Sequence, residues 1–100
     1  VFKLIFSFMD LPYEGFISDK QFDSEDAKEN VLDEVSEVLG GNCPEDISFK
    51  DFEVMSFSDE FDGFVDGTFS IRVVYLEYEN KEDEEGTIRE EIVNGNIVEV

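Results

Sequence analysis

The chain has no histidine, a single cysteine and only seven lysines and arginines in one hundred residues, and each shortage removes a class of function. Without imidazole there is no histidine general base, no Ser-His or Cys-His nucleophilic pair and no histidine metal ligand, so the usual small-domain enzymes are excluded. Cys43 has no second cysteine with which to form an internal disulfide. That argues against a disulfide-stapled secreted scaffold and for a reducing, cytoplasmic setting. The scarcity of bases argues against direct contact with DNA, RNA or an anionic membrane. Long apolar runs are missing too: the opening VFKLIFSFM is too short to cross a bilayer, has no basic leader and soon meets Pro12, so neither a membrane span nor a signal peptide is expected.

What is abundant is acid and phenylalanine. Twenty-seven Asp and Glu give a formal net charge of -20, while the hydrophobic fraction is 41% with eleven Phe. The apolar content predicts a folded core rather than a disordered acidic tail, and the length predicts one small domain over residues 1–100. A net charge of magnitude about 2 to 8 already keeps a small domain soluble. The excess destabilises the compact state by self-repulsion, so it calls for an unusual solvent or a function. Ala27 is the only alanine, whereas Phe, Ile, Asn and Lys are plentiful, a composition that fits an AT-rich coding sequence better than a halophilic proteome.

Periodicity predicts an α+β fold: one amphipathic helix on a mostly antiparallel sheet of four to five strands, in the order β-α-β-β-β-β. Phe2, Leu4, Phe6 and Phe8 alternate as one face of a first strand, and residues 9–24 read as a long loop with an extended piece near Phe16–Ser18. The stretch SEDAKENVLDEVSEVLGG, 24–41, reads as the helix, with Asp23 or Ser24 as N-cap and Gly40-Gly41 as its stop. Ala27, Val31, Leu32, Val35, Val38 and Leu39 form its apolar stripe. Further strands are expected at 52–57, 68–78 and 87–93, and Asn94-Gly95 reads as a hairpin turn into a last strand at 96–100. One helix covers only one sheet face, so the other is left partly wet and open to a partner.

The segment SDEFDGFVDG has the look of a calcium loop, but neither EF-hand alignment supplies the closing glutamate. No metal and no cofactor is therefore expected, and Asp59, Glu60, Asp62 and Asp66 are assigned to an acidic surface. Phe61 and Phe64, flanked by these carboxylates, are candidate apolar anchors for a partner.

Two acidic blocks dominate the rest. From Asp23 to Glu37 seven acids, including Glu25, Asp26, Glu29, Asp33, Glu34 and Glu37, meet only Lys28; from Glu77 to Glu91, Glu77, Glu79, Glu82, Asp83, Glu84, Glu85, Glu90 and Glu91 meet only Lys81 and Arg89. In the helix, Glu25, Glu29, Asp33 and Glu37 recur every four residues, and each like-charged step costs roughly 0.2–0.5 kcal/mol. Local stability does not explain such a row. Its interval of about 6 Å approaches that of successive phosphates along a nucleic-acid strand.

The expectation is a non-enzymatic DNA mimic whose partner is a basic nucleic-acid-binding protein, with no direct nucleic acid and no membrane, as monomer or homodimer. In size and charge the chain resembles small acidic inhibitors carried by phages and mobile elements, a likeness that rests on no shared motif. Their targets as a class include restriction enzymes, CRISPR effectors, a DNA glycosylase, nucleoid proteins and polymerase. Two other readings stay open: an immunity protein that neutralises a nuclease toxin, and an acidic adaptor that binds through exposed Phe.

Overall fold

A computed structural model describes residues 1–42, 44–58, 67–80 and 82–100. They form five strands and two helices: β1 (Phe2–Phe8), β2 (Leu11–Ile17), α1 (Asp19–Phe22), α2 (Ala27–Gly41), β3 (Ile47–Ser58), β4 (Gly67–Glu77) and β5 (Thr87–Glu99). The strands make one sheet in the order β2-β1-β5-β4-β3, and every neighbouring pair is antiparallel.

The core lies on one sheet face beneath α2. Leu4, Phe6 and Phe8 of β1, Phe69, Ile71 and Val73 of β4, and Val93 and Ile97 of β5 are all buried there, against Val31, Val35 and Leu39 of the helix. The alternation expected in β1 and the helical stripe both appear as buried residues, because period 2 and period 3.6 each place their apolar set on one face. Leu32 and Val38 flank the stripe and are half-buried. In β3 the apolar residues Ile47, Phe49, Phe52, Val54 and Phe57 do not alternate strictly. Register shifts between Phe49 and Asp51 and between Val54 and Ser56 absorb one extra residue each, so all five still meet the core.

The structure corrects four expectations. Residues 11–17 are not loop but the edge strand β2, joined to β1 by a two-residue turn in which Met9 and Asp10 have φ of 52° and 63°. Residues Asp19–Phe22 form a short extra helix, so the order is β-β-α-α-β-β-β. Ser18 accepts from the Gln21 N–H at 3.2 Å while Gln21 Oε1 accepts from the Ser18 N–H at 2.9 Å, a capping box that swings Phe22 to within 4.3 Å of the Phe2 ring. The main helix starts at Ala27 with Asp26 as N-cap, and Gly40 and Gly41 lie within it rather than stopping it.

Fourthly, Asn94-Gly95 is no turn. β5 runs unbroken from Thr87 to Glu99, with Gly95 opposite Phe69 on one side and Phe6 on the other. The Phe69 ring lies over the glycine: a Cβ built there would stand 2.2 Å from Phe69 Cζ.

The β1–β2 turn supplies a first prediction. Both central residues occupy the left-handed region, which costs a residue with a bulky side chain such as methionine roughly 1 kcal/mol. Replacing Met9-Asp10 by Asn-Gly, the pair that suits this turn, should raise stability by about 1 kcal/mol in urea denaturation; an unchanged midpoint would mean the turn is not strained.

Candidate interaction surface

Three surfaces follow from this arrangement: the outer face of α2, the helix-free face of the sheet, and the β4–β5 connection. On α2, Glu29, Asp33 and Glu37 point away from the core and are exposed, with Asp26 at the N-cap position, where its side chain makes no capping bond, and Glu25 in the turn before it. The expected row of four is thus three on the helix, with Glu25 just ahead of it. Among the described residues no cation forms an ion pair with any of these acids, and the last helical turn carries no base to answer the dipole. Glu34 is different. It is half-buried, and its Oε1 accepts from the Phe16 N–H at 3.3 Å, so it ties α2 to the β2 edge.

On the helix-free face three acids are answered. Lys3 meets Glu14 at 2.8 Å, and Arg72 meets Glu53 at 3.3 Å and also Glu90. The bond donated by Arg72 holds the Glu90 carboxyl below its ordinary pKa. Ser70 donates to Asn94 at 2.6 Å. Around these pairs stand apolar residues with no helix over them: Ile5, Phe16, Ile88 and Ile92 are all exposed. Ile88 and Ile92 were not singled out in the sequence, because an Ile in TIREEIV reads as a core residue until the side covered by α2 is known.

The second acidic block is divided by strand geometry. Successive side chains alternate faces, so Glu90 stands on the helix-free face while Glu91 and Glu77 stand on the other. There they flank Tyr75, whose hydroxyl is pushed upward in pKa by burial first and then by these two carboxylates. Glu77 is also 3.9 Å from Arg89. Glu79, Glu82, Glu84 and Glu85 are exposed in the β4–β5 connection. A cleft of about 330 Å³ beside them is lined by Glu45, Asp46, Tyr78, Glu79, Asn80 and Asp83. Among the described residues no cluster of His, Cys, Asp or Glu has the arrangement of a metal site. Asp59, Glu60, Phe61, Asp62, Phe64 and Asp66, together with Cys43, lie outside the described residues. No helix among the described residues is long and apolar enough to cross a membrane.

Asp83 has work inside the fold. Its Oδ1 accepts from the Gly86 N–H at 3.0 Å and its Oδ2 from the Glu79 N–H at 3.2 Å, and these backbone donors, Gly86 first, hold its pKa below the ordinary value. Gly86 turns the chain into β5 with φ of +70°, a conformation that suits glycine. A depressed folded pKa means the folded state binds fewer protons than the unfolded chain. The contribution is therefore full above about pH 4, where unfolded carboxylates are ionised, and fades as pH falls through the lower folded value. Asp83→Ala should lower the thermal midpoint at pH 7, and its gap from the parent should narrow steadily below about pH 4. A gap that is independent of pH would show that the ionised carboxylate is not what holds the connection.

Compared with protein-family models, curated proteins and solved structures, the chain shows no significant match to any of them.

Proposed function

We propose that this chain is a non-enzymatic acidic binding protein that imitates a nucleic-acid phosphate backbone and occupies the nucleic-acid site of a basic protein, in the manner of inhibitors carried by phages and mobile elements. One observation carries the reading: Glu29, Asp33 and Glu37 form an exposed row on a helix whose opposite face is buried, with no cation paired to them among the described residues. The cations Lys3 and Arg72 serve the sheet's other face instead. The row's charge is left for a partner. Rigid placement matters because a helix held by its core stripe presents the carboxylates at a constant interval, about 6 Å for four residues, with little ordering cost on binding.

The test is a comparison of association rates. A basic DNA-binding protein captured from host lysate, and displaced from this chain by duplex DNA, serves as partner. Neutralising the row as Glu29→Gln, Asp33→Asn and Glu37→Gln should slow association by about tenfold or more at low salt and flatten its salt dependence, since steering by complementary charge acts on the on-rate. Neutralising Glu45 and Glu99 should do little. Equal losses from both sets would assign the attraction to net charge alone. Capture of a single nuclease toxin irrespective of DNA would replace mimicry by immunity.

A further inference from the structure

The first half of β5 is paired along one side only. On one side β5 is paired with β4 along residues 87–97, but on the other β1 pairs only with residues 95–99, the last partners being Phe6 and Gly95. Beyond Phe6 the first strand no longer pairs with β5, and the Phe8 ring packs on the helix-side face 5.5 Å from that of Tyr75 on β4 and 5.6 Å from that of Phe49 on β3. Backbone direction alternates along a strand. The Val100 N–H donates to the Val1 carbonyl on the β1 side, and the β4–β5 register has no bulge. The even residues Ile88, Glu90 and Ile92 therefore aim their N–H and C=O groups at the open edge.

The other two edges are guarded in the usual ways, β2 by Pro12 and β3 by its two bulges. This one carries neither device, and its side chains are self-complementary. Antiparallel pairing about a two-fold axis at Glu90 sets Ile88 opposite Ile92 of a second copy and Arg89 opposite Glu91, each twice. Ile88 and Ile92 are 73% and 44% exposed, so pairing would cover apolar surface that the fold leaves wet. Arg89 and Glu91 fall in the narrow, non-hydrogen-bonded pairs, where side chains come closest. The two Glu90 carboxylates meet on the helix-free face, each already bridged by its own Arg72. Shifting the axis by one residue either way brings Arg89 onto Arg89 or Glu91 onto Glu91.

We infer that two copies of this chain associate through residues 88–92 of β5, joining their sheets into one continuous antiparallel sheet about a two-fold axis at Glu90. The axis stands perpendicular to the sheet, so both α2 helices lie on the same face. The inference does not depend on the partner-binding reading. The charge of -20 on each copy opposes association, so screening should favour it.

Sedimentation of the full chain across protein concentration at low and at about 0.5 M salt reads the dimer directly, and amide exchange reads the edge. A dimer that strengthens with salt, with exchange at Ile88, Glu90 and Ile92 slowing as protein concentration rises, is expected. Arg89→Glu should weaken the dimer by about tenfold, since two attractive cross-strand pairs become repulsive. Glu91→Arg should do the same, and the double exchange should restore it. A monomer under all conditions would overturn the inference. So would a dimer that ignores Arg89→Glu, or one that the double exchange does not rescue while circular dichroism shows the variants folded.

Discussion

Gly95→Ala is expected to cost about 3 kcal/mol, at the upper end of what overpacking a core exacts. The added methyl would fall 2.2 Å from Phe69 Cζ and 2.6 Å from Cε1, and the ring cannot retreat because the Phe6 ring stands 6.2 Å away, centroid to centroid, within the same core. For a domain of this size the thermal midpoint should drop by roughly 10–20 °C. The double variant with Phe69→Leu should be less destabilised than the sum of the single changes, with a coupling of about 1–3 kcal/mol in denaturant titrations. Were Gly95 a turn residue, alanine there would cost about 1 kcal/mol and would be indifferent to position 69. Additive costs would therefore restore the hairpin reading of Asn94-Gly95.

The second large effect separates what holds α2 from what it offers. Leu39 is buried under the helix against the sheet, and Leu39→Ala should cost about 2–5 kcal/mol through lost burial and the cavity left behind. Two residues away Glu37 is exposed. Neutralising Glu29, Asp33 and Glu37 together removes two like-charged helical steps of about 0.2–0.5 kcal/mol each, so that variant should be as stable as the parent or up to about 1 kcal/mol more so. Urea midpoints for the two variants check both signs. A loss of stability on neutralisation would mean the row takes part in the fold, and would leave it a poor candidate for a surface reserved for a partner.

Much of the local structure was legible. Phe2, Leu4, Phe6 and Phe8 could only be one face of a strand, and the stripe from Ala27 to Leu39 could only be one face of a helix, since each pattern matches a single backbone period. The capping box of Ser18 and Gln21 was also present in the letters, yet α1 is so short that it lacks the periodicity that would draw attention to it. Of the candidate site, exposure of Glu29, Asp33 and Glu37 followed from the same helical period. The separate duties of Glu34, Asp83 and Glu90 did not, because each depends on a donor elsewhere in the fold: the Phe16 N–H, the Gly86 and Glu79 N–H groups, and Arg72.

By itself, then, the sequence determined the class of fold, the buried faces of β1 and α2 and a large uncompensated negative charge, all of which depend on neighbours within a few residues or on composition. Tertiary structure decided the rest. Asn94-Gly95 has the letters of a turn, but a glycine in a strand is also what a ring lying across it requires, and only the pairing of β4 with β5 brings Phe69 there. Pro12 and Gly15 argue locally against a strand at 11–17, and β2 exists because β1 offers it an edge. Glu90 and Glu91 are adjacent in the chain and on opposite faces of the sheet, so whether an acid is free or answered was settled by where Arg72 and Arg89 reach.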